Sequence, residues 1–174
     1  MSPKEGWPLY YLEIIGSGFQ SGVRVTFGGV ETFVSGNPSN TGKIVTNPPW
    51  RDPATVPGTV DVVVTNPDGT SVTIAGGFTY KVATLELSSS EVSPGETVVV
   101  TWSGPNDPSD FAPPDTIGLY ELNSPFTTEL WGTTSGIGDR FSAQFKAPMT
   151  PGSYEVRYRM LSKYLLAKAS LVVR

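Results

Sequence analysis

The sequence contains no cysteine and no histidine among its 174 residues. Without cysteine, the chain has no disulfide, no zinc–thiolate site and no thiol nucleophile. Without histidine it lacks the commonest general base, so Ser-His and Cys-His catalysis are excluded. An enzyme would have to use paired carboxylates, or a lysine or tyrosine base. The sequence therefore favours no class of enzyme, and we expect no catalytic residue and no cofactor.

The chain also lacks an excess of positive charge and any long apolar run. Its 12 basic and 16 acidic residues give a net charge of −4 and are spread through the sequence, so they form no footprint for a phosphate backbone. No apolar run approaches the length of a transmembrane helix, and the start "MSPKEGW" lacks the regions of a signal peptide. An excised fragment would look the same. We expect no nucleic-acid partner and no membrane insertion.

Glycine and proline are abundant instead, with 19 and 16 residues. Apolar residues do not recur at helical spacing over three or more turns, and valine and threonine are frequent. The one candidate helix covers residues 158–173, but it lies where a hairpin should end the domain, so we predict strands there. The composition therefore predicts an all-β fold.

Residues 59–80, "TVDVVVTNPDGTSVTIAGGFTY", predict a β-hairpin. Before the turn, the valines at 60, 62 and 64 occupy every second position, and after it Val72 and Ile74 do the same. Apolar residues at every second position are typical of a strand with one buried face. In the turn "NPDG", Pro67 presets the first central position and Gly69 can adopt the left-handed conformation that closes a hairpin with a bulge. We expect Asn66 and Asp68 to have turn-forming roles, and metal binding is the alternative.

The strand pattern restarts after residue 80, which predicts two domains, 1–82 and 83–174. The boundary lies near Val82 and Ala83. The link is short and lacks the glycine and serine of a flexible coil, so we expect the relative orientation of the two domains to be restricted.

The first half contains, in order, "SPKEG", "IIGSGF", "VRVTFGGV", "PGTVDVVVTNPDG" and "GGFTY". On these motifs, residues 2–80 resemble the IPT/TIG family of immunoglobulin-like modules. The stretch from Trp7 to Tyr11 departs from the glycine-rich link that is usual in the family, which predicts a local change at that edge. The resemblance implies an immunoglobulin-like β-sandwich.

The second half contains "VSPGETVVVTWSGP", "DTIGLYEL", "APMTPGSYEVRYRM" and "KASLVV". These strand candidates resemble immunoglobulin-like or fibronectin-III-like sandwiches found as accessory domains beside extracellular catalytic domains. Thr116 stands where that group commonly has an aromatic residue. We expect Trp102 to be a core residue and Tyr154 to be a core or corner residue.

Three aromatic residues in loops are candidate ligand contacts: Trp50, Phe126 and Trp131. Exposed rings on rigid loops can stack on a sugar or cover a partner protein, because they give a large contact area at a small entropic cost. The alternative is that they close the ends of each sandwich or the contact between modules.

Acidic residues give two further hypotheses. Asp107, Asp110 and Asp115 lie within one proline-rich loop, and clustered carboxylates can bind calcium, although the spacing matches no EF-hand. A stiff solvated loop is the alternative. Three other acids are candidates for glycosidase chemistry without a supporting motif: Glu121, Glu129 and Asp139.

Basic residues cluster late in the chain, at Arg157, Arg159, Lys163 and Lys168. The two arginines share a parity, so they project from the same face of one strand. We expect a solvated sheet face, with an acidic partner or a polyanionic glycan as the alternative.

These features predict a non-catalytic tandem of immunoglobulin-like modules from a larger bacterial extracellular or cell-surface protein. It would act as a spacer or a protein-interaction domain, with the other domains of its parent protein or a cell-surface protein as partners. The alternative is a carbohydrate-binding accessory module of a polysaccharide-degrading enzyme, with a polysaccharide as partner. A catalytic fragment would require converging carboxylates.

Overall fold

The computed structural model describes residues 1–2, 4–36, 42–51, 58–104, 115–125, 127–134, 141–161 and 163–174. These residues form strands, turns and loops and contain no helix, so the prediction of an all-β fold is confirmed. No described segment is a helix that is long and apolar enough to cross a membrane. The chain divides into two compact units, Met1–Lys81 and Val82–Arg174.

The first unit is a sandwich of two sheets. Its strands are β1 (Glu5–Gly6), β2 (Leu12–Ile15), β3 (Arg24–Phe27), β4 (Val30–Thr32), β5 (Val34–Ser35), β6 (Lys43–Thr46), β7 (Thr59–Thr65) and β8 (Ser71–Tyr80). One sheet has the order β1-β8-β7-β3-β4 and the other has the order β2-β6-β5. The short β1 runs parallel to β8, whereas the remaining pairs are antiparallel.

The predicted hairpin is formed by β7 and β8. The Asn66 carbonyl accepts from the Gly69 N–H at 2.9 Å, and the Asn66 N–H donates to the Thr70 carbonyl at 2.8 Å. Gly69 has a φ of 87°, which closes the turn with the expected bulge. The Asp68 carboxylate accepts from the Thr70 N–H at 2.8 Å, so its role is the turn chemistry expected of this residue type.

The core of the first unit lies between its sheets and is apolar. Its buried members are Leu12, Ile14, Val23, Val25, Phe27, Ile44, Val60, Val62, Val64, Phe78 and Tyr80. The alternation of β7 is therefore confirmed. The same expectation is wrong for Val72, which is 59% exposed because β1 pairs with β8 at Thr79 and Tyr80 and leaves β8 as the edge of the sheet at Val72. Ile74 is partly buried and packs against the core.

The second unit repeats this plan. Its strands are β9 (Thr84–Leu87), β10 (Glu91–Val92), β11 (Thr97–Ser103), β12 (Thr116–Glu121), β13 (Trp131–Thr134), β14 (Phe141–Lys146), β15 (Gly152–Met160) and β16 (Tyr164–Val173). The sheets have the orders β10-β16-β15-β12-β13 and β14-β11-β9. A short parallel strand again pairs with the last strand, here β10 with β16. Residues 158–173 are strands apart from the turn between them, as predicted.

Both units are immunoglobulin-like sandwiches. In the first unit β7 pairs with the last strand, β8, and on its other side with β3. In the second unit β15 pairs in the same way with the last strand, β16, and with β12. This is the arrangement of the G, F and C strands in the immunoglobulin fold. Each unit thus places one five-stranded and one three-stranded sheet around its own core.

Trp102 and Tyr154 occupy the places expected of them. Trp102 is buried, and its ring stacks on Phe141 with centroids 5.8 Å apart. Tyr154 is buried at the start of β15, and its hydroxyl donates to the Thr150 carbonyl at 2.8 Å. A tyrosine that bonds back to the backbone a few residues upstream is the corner of this fold.

Replacing Tyr154 with phenylalanine tests the corner. We expect Tyr154→Phe to lower the free energy of unfolding of the second unit by about 1 kcal/mol, because one partly buried hydrogen bond is lost while the ring is kept. Urea unfolding followed by tryptophan fluorescence, in a Trp7→Phe, Trp50→Phe background, reports on this unit. The control is Thr150→Ala, which leaves the acceptor carbonyl in place and should change stability by less than about 0.5 kcal/mol. Equal effects of the two substitutions would contradict the corner assignment.

Candidate functional site

The outward face of β15 carries three charged side chains that are buried. Alternation along "YEVRYRM" places Glu155, Arg157 and Arg159 on the face that points away from the core. The sequence predicted a solvated face, but Arg157 is 4% exposed and Arg159 is 7% exposed. That prediction is wrong for both arginines, because their guanidinium groups lie over the Tyr120 ring and pair with carboxylates. Lys163 and Lys168 are exposed, as expected.

The three charged residues of β15 form an ionic cluster with Tyr120, Glu129 and Lys168. Glu155 and Arg157 lie at its centre. Arg157 donates from Nε to the Glu155 Oε1 at 2.9 Å, and its Nη2 bonds to the same oxygen. The Lys168 Nζ lies 3.3 Å from the other oxygen, Oε2. The Arg157 guanidinium lies 4.4 Å from the centroid of the Tyr120 ring, within the range of a cation–π interaction. Both oxygens of Glu155 are therefore engaged by cations.

Arg159 and Glu129 extend the cluster toward β13. The Arg159 Nη2 lies 3.0 Å from the Glu129 Oε2, which also accepts from the Tyr120 hydroxyl at 2.6 Å. Glu129 lies across the facing pair Gly118 and Gly132, where any Cβ would collide with its carboxylate. The two glycines thus provide the space in which this carboxylate reaches its partners.

The environment of the cluster shifts two pKa values. Burial, followed by the hydrogen bond to Glu129, raises the pKa of the Tyr120 hydroxyl. Burial alone raises the pKa of Glu155, but the bonds and charges of Arg157 and Lys168 outweigh it and hold the pKa of that carboxyl below its ordinary value. The cluster is therefore built to keep Glu155 charged and Tyr120 protonated at neutral pH.

The acids proposed for catalysis do not converge in the described part of the chain. Glu129 is bound by Tyr120 and Arg159, as described, and Glu121 is exposed at the end of β12. Asp139 lies outside the described residues. We find no arrangement of two carboxylates around an open cleft among the side chains that the structure describes.

The calcium hypothesis rests on a loop that is mostly outside the described residues, since Asp107 and Asp110 both fall there. Asp115 is buried, and its two oxygens accept from the Tyr158 hydroxyl and the Leu161 N–H, each at 3.2 Å. Within the described ranges, no three acidic side chains group closely enough to hold a metal ion. Asp115 thus ties the start of β12 to the end of β15.

The three predicted ligand-contact aromatics lie in different surroundings. Trp131 is half-buried at the start of β13, and its ring packs on Phe145 of the opposite sheet with centroids 5.0 Å apart. Trp50 is half-buried in the segment after β6. Phe126 lies outside the described residues. Trp50 therefore belongs to the first unit and Trp131 to the second, and each ring is half-buried.

An exposed aromatic pair lies instead on the outer face of the three-stranded sheet of the first unit. Tyr11 is 71% exposed and Phe33 is 66% exposed. Continuing the β2–β6 and β5–β6 registers by one residue places both opposite Asn47. The flanking segments are tied to Asn47, which donates to the Leu9 carbonyl and accepts from Thr32. We call this surface the Tyr11–Phe33 face.

The rest of the Tyr11–Phe33 face is mixed in character. Glu13, Val45 and Ser35 form the next row across the sheet, and Ile15 and Lys43 form the third. The Lys43 Nζ lies 2.8 Å from the Glu13 Oε1, so the two charges of the face neutralise each other. The face therefore presents the two rings, Val45 and the exposed Ile15 as apolar surface, among neutral or paired polar groups.

Sequence reasoning missed Tyr11 and Phe33 for a specific reason. In "YYLEII" apolar residues occur at both parities, so the pattern does not say which set is buried. The signal that was available is Glu13, whose charge marks Tyr11 and Ile15 as the outward set because all three share a parity.

Comparison with known proteins agrees with the fold. Residues 1–80 match the family model described as IPT/TIG domain, which confirms the resemblance of the first half. No curated protein sequence matches the chain. Two similar solved structures are the "D00-D0 domain of Intimin", with 11% identity and a TM-score of 0.37, and the "D0-D1 domain of Intimin", with 12% and 0.34. Each alignment covers 98% of this chain and 95% of the other.

The ionic cluster generates a prediction about pH. Since the pKa of Glu155 is lowered by folding from an unfolded value of about 4.3, its charge stabilises the fold above about pH 4.3, and this contribution is lost as the pH falls through the folded value. Glu155→Gln should remove that pH dependence. It should also lower the free energy of unfolding of the second unit at pH 7 by roughly 3 to 5 kcal/mol, because it removes the carboxylate that pairs with the buried Arg157.

Urea unfolding between pH 7 and pH 3 measures both effects in the Trp7→Phe, Trp50→Phe background. The matched control is Glu91→Gln, which breaks the exposed pair with Arg174 in the same unit and should cost less than about 1 kcal/mol. An acid profile that is the same with and without Glu155 would show that this carboxyl does not carry the effect.

Proposed function

Because the first unit is an IPT/TIG domain and the second an immunoglobulin-like sandwich, we propose that the chain is a non-catalytic tandem module of a larger bacterial extracellular or cell-surface protein. It acts as a spacer or a protein-interaction domain within that protein. The observation that carries the proposal is the use of its buried acids. Glu129, Glu155 and Asp115 are each bound by at least two groups of their own unit.

This use of the acids argues against general acid–base chemistry at these positions. A general base must accept a proton from the substrate at hydrogen-bond distance. The oxygens of Glu155 are directed at Arg157 and Lys168 instead, and an oxygen of Glu129 accepts from Tyr120 and lies beside Arg159. Freeing either carboxylate would leave a buried cation without its partner, at a cost of several kcal/mol.

The spacer role is supported by the length of the link. Three residues, 81–83, separate the end of β8 from the start of β9. The Lys81 N–H donates to the Gly6 carbonyl at 2.8 Å, so the first of the three is fixed to its own unit. Only the backbone of Val82 and Ala83 is then left in the link to rotate and move one unit independently of the other.

The alternative function is that of a carbohydrate-binding accessory module of a polysaccharide-degrading enzyme. The observation that favours it is the exposure of Tyr11 and Phe33. Trp50 and Trp131, which the sequence singled out for this role, are half-buried. The parent protein would supply the catalytic domain in this case.

The non-catalytic proposal predicts that the chain releases no new reducing ends from polysaccharides. Xylan, β-glucan, xyloglucan, starch and alginate are suitable substrates, and reducing-end assay after long incubation is the measurement. We expect the same signal as with a buffer blank, because the buried carboxylates are held by structural partners and no two carboxylates converge around a cleft among the described side chains. Activity that disappears on a single substitution such as Glu129→Gln or Glu121→Gln would refute the proposal.

The spacer role predicts a narrow distribution of shapes in solution. A variant with a long Gly/Ser insertion after Val82 should show a broader distribution than the native chain, because the insertion adds a flexible coil to a link of three residues. Small-angle X-ray scattering of both proteins measures the difference. Equally broad distributions would mean that the native link is already flexible, and the spacer role would lose its physical basis.

A further inference from the structure

We infer that the Tyr11–Phe33 face binds a neutral polysaccharide chain, with Tyr11 and Phe33 stacking on two separate sugar rings. The inference rests on the proposed non-catalytic role, and it adds the ligand class and the residues that contact it. It assigns binding to the first unit, whereas the candidate rings Phe126 and Trp131 belong to the second.

The spacing of the rings indicates a ligand that is longer than one sugar. Tyr11 and Phe33 lie on opposite sides of Asn47, one neighbouring strand away in each direction. Their backbones are therefore about 10 Å apart, since adjacent strands are separated by about 4.8 Å. A single sugar ring does not contact two side chains that project in parallel at this distance, but a chain of linked sugars does.

The chemistry between the rings fits hydroxyl groups. Tyr11 and Phe33 provide apolar ring faces at a small cost in side-chain entropy. Asn47, whose amide is also bonded to Leu9 and Thr32, lies between them. Ser35, Glu13 and Lys43 lie beside them with the apolar Val45 and Ile15, so polar groups alternate with apolar surface. A sugar chain presents the same alternation, with C–H faces on its rings and hydroxyls at their edges.

Charge and area exclude other occupants. The Glu13–Lys43 pair leaves the face without net charge, so it offers no attraction to a polyanion. Three strands by five residues cover roughly 300 Å². A stable protein interface buries roughly 800 Å² on each partner, which is more than this face provides. A neutral oligosaccharide segment needs neither the larger area nor the charge.

Affinity electrophoresis of the full chain tests the inference. The native gels contain one neutral polysaccharide each, namely hydroxyethyl cellulose, xyloglucan, barley β-glucan or galactomannan, and alginate serves as the polyanion. We expect retardation in at least one neutral gel and none in alginate. Tyr11→Ala and Phe33→Ala should each weaken binding about tenfold, because loss of a stacked anchor ring removes a major part of the binding energy.

Matched controls separate binding from folding. Val72→Ala truncates an exposed apolar residue on the other sheet of the same unit and should keep full retardation. Circular dichroism must give the same spectrum for all variants, as expected for substitutions at exposed positions.

Four outcomes would overturn the inference. They are no retardation in any neutral gel, retardation unchanged in both ring variants, retardation in alginate that the ring variants abolish, and a dimer in sedimentation that the ring variants dissociate. A reducing-end assay on the same samples keeps the two proposals apart. Binding with release of reducing ends would contradict the non-catalytic role alone, and neither binding nor release would contradict this inference alone.

Discussion

The two sheets of each unit are held together without a disulfide, because the chain has no cysteine. A sandwich of about 80 to 90 residues buries a modest share of its surface, so its large side chains must close the core. In the first unit Phe78 packs edge to face with both Phe27 and Tyr80, with centroids 5.5 and 5.2 Å apart. In the second unit Trp131 packs on Phe145 across the sheets. This requirement explains why a tryptophan that looks like a ligand contact in the sequence has a packing partner.

The ionic cluster on the outer face of β15 concerns the geometry of strand pairing rather than the closure of the core. A buried ion pair contributes little net stability, because desolvation offsets most of the attraction. Its geometry is nevertheless demanding, since Arg159 and Tyr120 fix the carboxylate of Glu129 above Gly118 and Gly132. The cluster therefore favours the pairing of β12 with β13 that sets Gly118 opposite Gly132.

The strands could be predicted from the sequence, but the burial or exposure of the side chains on their outward faces could not. Alternation and turn residues located the β7–β8 hairpin, the core position of Trp102 and the corner at Tyr154, because each depends on neighbours within a few residues or on one buried face. The burial of Arg157 and Arg159 depends on Tyr120 and Glu129, which are about 30 to 40 residues away in the chain, so no local pattern reveals it. The exposure of Tyr11 and Phe33 was not predicted either. Both occur in apolar runs, and the pairing of β2, β5 and β6 is needed to show which residues of those runs face the core.

The two units differ in whether a new contact would first have to break an existing one. In the second unit Glu129 and Glu155 are held in ion pairs, so a new contact there must first break an existing one. On the Tyr11–Phe33 face the rings are already in solvent, and a ligand displaces water rather than protein partners. Since binding energy is reduced by whatever must be rearranged beforehand, the first unit is the better place for recognition. In the second unit, by contrast, Glu129 and Glu155 are committed to holding its own strands.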